Sequence, residues 1–242
     1  MKNIFKILIL ILVCSPVLSS DRVTYKIEPR DNIVYAEGES EPYSGRHESF
    51  YPDQSIKQKV EFLNGKINGI FIQFFPDGKK QIEVNFSNGI PHGREQQWHN
   101  NGQLKLETNY KNNTKEGMQI EWYKTGQKKL EVLMRNNERS GLQSQWYANG
   151  RKQIESNHNN GVLQGQLITW HENGIKSSEF NYKDDKKNGS FVRWFDNGNK
   201  QTQGNYAKGK LDGLVTVWNE DGDIEKKAKY IDGVIFSDHS ID

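Results

Sequence analysis

The chain is expected to fold as an all-β repeat, an open single-layer antiparallel sheet of eight stacked 24-residue β-hairpins. Three observations predict it. Gly45, Gly69, Gly93, Gly117, Gly141, Gly165, Gly189 and Gly213 recur every 24 residues without insertion or deletion, and self-similarity at a fixed period of this size marks an array. Five residues after each glycine stands an aromatic ring, Phe50, Phe74, Trp98, Trp122, Trp146, Trp170, Trp194 and Trp218, a column that holds all six tryptophans. Within a unit the apolar period is two rather than 3.6: Ile70, Ile72 and Phe74 alternate with Phe71 and Gln73, and Ile82, Val84 and Phe86 with Glu83 and Asn85. That alternation is the mark of a strand with one buried face.

Residues 1–20 stand apart from the array. Lys2 and Lys6 precede an apolar run over 7–13, and Ser15, Pro16 and Ser19 follow. A short basic region, a hydrophobic stretch too short to span a bilayer and a small residue at the end read as a secretory signal peptide, cleaved after Ser19 or Ser20. The competing reading is a membrane anchor, either an uncleaved helix or a lipid on Cys14, though Val13 occupies the place where lipidation wants a small residue. Cleavage would remove the only cysteine, leaving nothing to mispair in an oxidising compartment. It would also take two of the 33 basic residues and none of the 31 acidic ones, leaving no net charge. A neutral chain does not supply the positive surplus that nucleic acid needs, and it weakens the case for anionic lipid. The protein is therefore expected to act outside the cytoplasm, periplasmic or secreted.

Residues 21–44 precede the first unit and carry two short strand-like stretches, at 23–27 and 33–36. They are expected to cap the first sheet edge, because an open edge templates aggregation. The array then runs over 45–236. Its first connection in each unit has the form Pro76-Asp77-Gly78, Asn100-Asn101-Gly102 or Asp196-Asn197-Gly198, which fits a three-residue loop, a type I turn closed by a left-handed glycine. With Phe74 opposite Lys80, the simplest register places Ile72 opposite Ile82 and puts both apolar sets on one face. The second connection runs through pairs such as Asn64-Gly65, Asn112-Asn113 and Asp184-Asp185, residues that accept positive φ at modest cost. The framing glycine beyond it is expected to mark a bulge or a close backbone approach to the next unit's aromatic. Unit one has Gln54 where the others have the turn glycine. Residues 237–242 read as a loose polar tail.

Hydrophobic residues make up 33% of the chain, low for a domain with a three-dimensional core, yet 11% aromatic content argues against disorder. A thin sheet, in which large rings stack from one unit to the next, reconciles the two. About sixteen strands at ~4.8 Å spacing are expected.

No enzyme site emerges. Glu83, Glu107, Glu131, Glu155 and Glu179 form a column whose ~9.6 Å spacing lies at the edge of what paired glycosidase carboxylates use. Equivalent positions, however, offer no difference of environment to split two pKa values. Lys80, Lys105, Lys128, Lys129, Lys152, Lys176 and Lys200 lie close by, so cross-strand ion pairs on a solvated face are expected. His99 and His171 share a column but sit ~29 Å apart, and His47, His92, His158 and His239 show no ligand spacing, so neither metal nor cofactor is expected. No Gly-x-Ser-x-Gly elbow or phosphate loop occurs.

One column points to binding. Tyr51, Phe75, His99, Tyr123, Tyr147, His171 and Phe195 stand six residues after the framing glycine, with Asn219 in the last unit. Their parity is opposite to that of the tryptophans, so the rings face the other side of the sheet. A stripe of semi-exposed rings suits a protein partner; the structural alternative is that each ring folds over its own turn. Open edges also allow end-to-end dimers.

The copy at 141–155 reads Gly-x-x-x-x-Trp-Tyr-x-Asn-Gly-x-Lys-x-x-Glu. This unit resembles the bacterial variant of the MORN repeat, over about 43–236. The opening Pro42-Tyr43-Ser44-Gly45 is similar to the first unit of YwqK-type antitoxin relatives. The resemblance implies a non-enzymatic sheet scaffold that binds another protein, with toxin neutralisation as one role and membrane-lipid binding as another known of such arrays. The expected function is a secreted or periplasmic scaffold for a protein partner. Its rivals are an immunity protein that neutralises a toxin, or an envelope protein that binds lipid or that binds or hydrolyses carbohydrate, the latter using Glu107 and Glu131.

Overall fold

The computed structural model describes residues 22–240, so the proposed signal peptide and Cys14 lie outside it. Among the described residues there is no helix; one sheet of twenty strand segments carries the array. Successive strands pair antiparallel from Gly45–Phe50 to Val234–Ser240, each hairpin beside the next in chain order. The excess over sixteen has two sources. Val23–Thr24 and Val234–Ser240 add a strand at either end, and the first strands of units four and eight are broken, at Glu116 and Asp212. The single exception to antiparallel order is Val23–Thr24, which lies parallel to Gly45–Phe50.

Both edges of the array are built from turns that demand particular residues. At the Asn-Gly connections both central residues have positive φ in all eight turns, for example Asn88 at 50° and Gly89 at 83°, and Asp184 at 52° and Asp185 at 61°. These are the mirror-image turns whose twist matches a right-handed hairpin. Each second turn residue also donates its N–H to the unit before it, as Gly89 does to Ile67 O at 2.7 Å and Gly161 to Arg139 O at 2.8 Å, so the turns of this edge are laced along the array. Lys208, φ 52°, is the one first-turn residue that is neither Asn nor Asp. Lys208→Asn is expected to raise unfolding free energy by roughly 0.5–1 kcal/mol, because asparagine tolerates the left-handed region. A urea melt with no gain would refute this assignment of strain.

The opposite edge holds the three-residue loops. Gly78 N–H donates to Phe75 O at 2.9 Å and Phe75 N–H to Lys79 O at 2.8 Å, which is the expected type I turn closed by a glycine at φ 81°. Gln54 fills the glycine place in unit one at φ 71° and makes the same bond, to Tyr51 O.

The register beyond this loop corrects the sequence reading. Phe74 does face Lys80, but Gln73 then faces Ile82 and Ile72 faces Glu83. Residue 81 is the extra one, a bulge that recurs at this place in every unit. The expected Ile72–Ile82 pair is therefore not made, and the two apolar sets do not share a face. Phe71, Val84 and Phe86 share one face with Gln73 and Ile82; Ile72 and Phe74 go to the other, together with Glu83. The bulge also turns the strand so that residues three apart, such as Lys80 and Glu83, come to the same side.

The packed face follows a row of register partners across the sheet, among them Val60, Phe71, Val84, Val132, Gln143, Ser156, Phe180, Phe191, Val215 and Ala228. Most are buried. Its middle is polar, with Thr108, Gln143 and Ser156 all buried, which accounts for the low apolar content of the chain. Ring contacts between array residues lie on this face: Phe180 stacks on Phe191 at 5.3 Å, and Phe71 meets Phe86 edge-on at 6.3 Å. The tryptophans do not stack on one another.

A second bulge surrounds the framing glycine, where Phe62 faces Ile67 but Val60 faces Phe71. At Gly69 and Gly93 the close approach is to the preceding strand, where an added Cβ would stand 3.1 Å from Glu61 Cβ and 3.4 Å from Asn85 Cβ; at Gly45 it is to Tyr43, and at Gly141, Gly165 and Gly213 nothing lies within 4 Å. Asn85 Nδ2 and Asn181 Nδ2 donate to the bulged carbonyls of Arg94 and Ser190 at 3.0 and 2.8 Å.

At the N-terminal end a small hairpin, Ile27–Arg30 with Ile33–Ala36, folds over the first units. Ala36, Tyr43, Val60 and Phe62 form its buried core, with Tyr43 wholly inaccessible to solvent. At the other end Ser237–Ser240 continue the last strand, paired with Lys226–Lys229, where a loose tail was expected.

Candidate functional site

The ring stripe lies on the packed face, at the edge of the three-residue loops, and all seven rings are half-buried. Their polar tips are engaged. Tyr51 OH donates to Phe74 O at 2.7 Å, Tyr123 OH to Trp146 O at 2.8 Å and Tyr147 OH to Trp170 O at 2.7 Å. His99 Nε2–H reaches Trp122 O at 2.9 Å and His171 Nε2–H reaches Trp194 O at 3.0 Å. Five of the seven rings thus tie their unit to the carbonyl of the next unit's aromatic. Phe75 and Phe195 have no tip to donate and leave gaps in this ladder. Beside it, Asn101, Asn149, Asn173 and Asn197 donate from one loop to the backbone carbonyl of the next at 2.7–3.0 Å.

The opposite face carries the glutamate column. Lys80, Lys128, Lys152 and Lys176 pair with Glu83, Glu131, Glu155 and Glu179 along the same strand, three residues apart, rather than across strands. The same ammonium groups sit over the indole of the next unit: Lys80 over Trp98 at 5.7 Å, Lys128 over Trp146 at 5.9 Å, Lys152 over Trp170 at 5.7 Å. A lysine is thus interposed between successive units where ring-on-ring stacking was expected, offering both an ion pair and a cation–π contact. In unit three Leu104 takes the lysine place, and Glu107 instead accepts from Gln96 Nε2 at 2.7 Å. Every carboxylate of the column is thus committed to a neighbour. Among the described residues no three His, Cys, Asp or Glu side chains gather as a metal site. His158 lies in the packed face, where burial and the nearby Arg139 charge hold its pKa below the usual value. Tyr110 is pushed up to about 12 by burial and by the neighbouring Glu95 carboxylate.

Between the ring stripe and the buried row the packed face is hollowed. Smaller hollows of about 320 and 400 Å³ border Tyr123 and Phe75. A larger one, about 750 Å³, spans units five to eight, with Tyr147, His171 and Phe195 along one side and Phe180 among its walls. Three hydroxyls meet there, Thr169 Oγ1 lying 2.6 Å from both Ser177 Oγ and Ser178 Oγ. Arg193 stands opposite Ser178 in the register. Sequence reasoning found the rings bordering this hollow but not Thr169, Ser177, Ser178 or Arg193. A signal was available. Where unit six has Ser177-Ser178, units two to four have Gln81-Ile82, Lys105-Leu106 and Lys129-Leu130.

Comparison with known proteins returns one family. The profile described as MORN repeat variant matches residues 67–88, 91–112 and 163–184, each containing one framing glycine, Gly69, Gly93 or Gly165. No curated protein matches the chain.

Proposed function

We propose that the array is a non-enzymatic scaffold that binds a protein partner through its packed face, and that it works outside the cytoplasm once residues 1–20 are removed. The observation that carries this reading is the unbroken stripe of half-buried rings from Tyr51 to Phe195, which borders open hollows in unit after unit. Rigid rings whose polar tips are already tied down lose little entropy on docking, which suits them to anchor a partner. The carboxylate column, held by lysines on the opposite face, supports the non-enzymatic part of the reading.

The test uses the histidine–tyrosine exchange that the array itself displays. Histidine makes the same bond to the next unit at His99 and His171, so Tyr123→His with Tyr147→His alters the ring surface while keeping the ladder. The expected result is an unchanged melting temperature and about tenfold weaker capture of whichever envelope protein the unaltered chain retains. Equal capture by both forms would set the stripe aside as structural. N-terminal sequencing of the exported protein tests the processing step.

A further inference from the structure

We propose that the 750 Å³ hollow of units five to eight is a binding site for a sugar acid, a hydroxylated ring bearing a single carboxylate. Its volume falls within the ~300–1,000 Å³ range of small-ligand sites, and its mainly polar lining suits a polar ligand. The hollow lies where units six and seven depart from the repeat. Ser178 stands where Ile82, Leu106, Leu130 and Ile154 fill the space in other units, and Thr169 and Arg193 stand where Gln73, Gln97 and Gln145 do.

Each departure supplies chemistry. Thr169 bonds to both Ser177 and Ser178 at 2.6 Å, and the three hydroxyls retain further donor and acceptor capacity for the hydroxyls of a ligand. Arg193 is exposed and forms no ion pair among the described residues. Its planar guanidinium matches a carboxylate with two parallel hydrogen bonds. Phe180, stacked on Phe191 with the Lys187 ammonium 4.1 Å from its ring centre, provides an apolar wall and a second positive charge. Asp196 and Glu220 line the same hollow and disfavour a polyanion more than a single carboxylate. Neither a bare anion nor a neutral sugar uses the whole set.

This inference is independent of partner binding by the ring stripe, and its failure would leave that reading in place. The test is a titration of the full chain with D-glucuronate, D-glucose, acetate and inorganic phosphate, followed by amide chemical shifts. Glucuronate is expected to bind with a Kd of about 1 mM and to shift the backbone of 169–195, the other three binding at least about tenfold more weakly. Arg193→Gln and Ser178→Ile place in units seven and six what other units already carry, so both are expected to fold, with unchanged melting temperature. Each should weaken glucuronate about tenfold or more. Acetate or phosphate matching glucuronate would reduce the site to an anion contact and overturn the proposal. Undiminished binding by the two variants, or no shift at about 50 mM glucuronate, would overturn it as well.

Discussion

Truncation of Tyr43 to alanine is expected to cost about 4 kcal/mol and to release the N-terminal cap from the array. The side chain is wholly buried among Ala36, Val60 and Phe62, its ring lying 6.0 Å from that of Phe62. Its hydroxyl donates to Arg46 O at 2.6 Å, within the first strand of the array. Burial raises the pKa of that phenol, so it stays protonated and donating through the physiological range. The loss should be local. In an array each unit is stabilised by its own contacts and those of its neighbours, so hydrogen exchange is expected to quicken across Gly45–Phe50 and Ile56–Leu63 while Val162–Trp170 keeps its protection. Exposure of Gly45–Phe50 as an unpaired edge should also bring concentration-dependent aggregation. A urea melt showing less than about 1 kcal/mol of loss, or exchange rising evenly along the chain, would contradict the role given to Tyr43.

Gly65→Ala is expected to be nearly as damaging, at about 3 kcal/mol, and its comparison with Gly78→Ala separates two causes. Both glycines hold positive φ, 72° and 81°. At Gly78 nothing lies within 4 Å of an added Cβ, so alanine there bears only the backbone penalty, about 1 kcal/mol. At Gly65 the added carbon would stand 2.3 Å from Ile33 Cγ2 and 2.8 Å from Val34 O. The Ile33 side chain can turn aside, but the backbone carbonyl is held, because the same segment is bonded to the turn: Val34 N–H donates to Gly65 O at 2.9 Å and Gly65 N–H to Tyr43 O at 2.8 Å. Relief therefore requires the cap to lift from the first unit. Equal destabilisation by the two alanines, measured in the same urea titration, would show that backbone conformation is the whole effect and that the cap yields freely.

The candidate site was half legible in the residues. The ring stripe is a column at constant spacing, and its parity placed it correctly on the side away from the tryptophans. Its hydrogen bonds were not legible, because the acceptors are backbone carbonyls 23 residues further on, which any sequence supplies. Nor was the hollow beneath Phe195, since Ser177, Ser178, Thr169 and Arg193 read as ordinary strand residues until the register sets them side by side. Four of the five glutamates meet lysines, as expected. They do so along one strand rather than across two, since the bulge brings Lys80 and Glu83 to one side.

What could be read from the order of residues was whatever is decided within a few bonds. Glycine, asparagine and aspartate reveal positive φ because the penalty or relief is local to each residue, and so the period, the turns, the strands and the all-β architecture follow. Which face each side chain joins is a different kind of fact. It depends on where two strands seat against each other, and one extra residue at position 81 and its equivalents reverses the parity of everything beyond it. That bulge is settled by the summed packing and hydrogen bonding of neighbouring strands, with no single residue type to announce it. The buried row, the lysine between the indoles and the hollow of units five to eight all descend from that non-local choice.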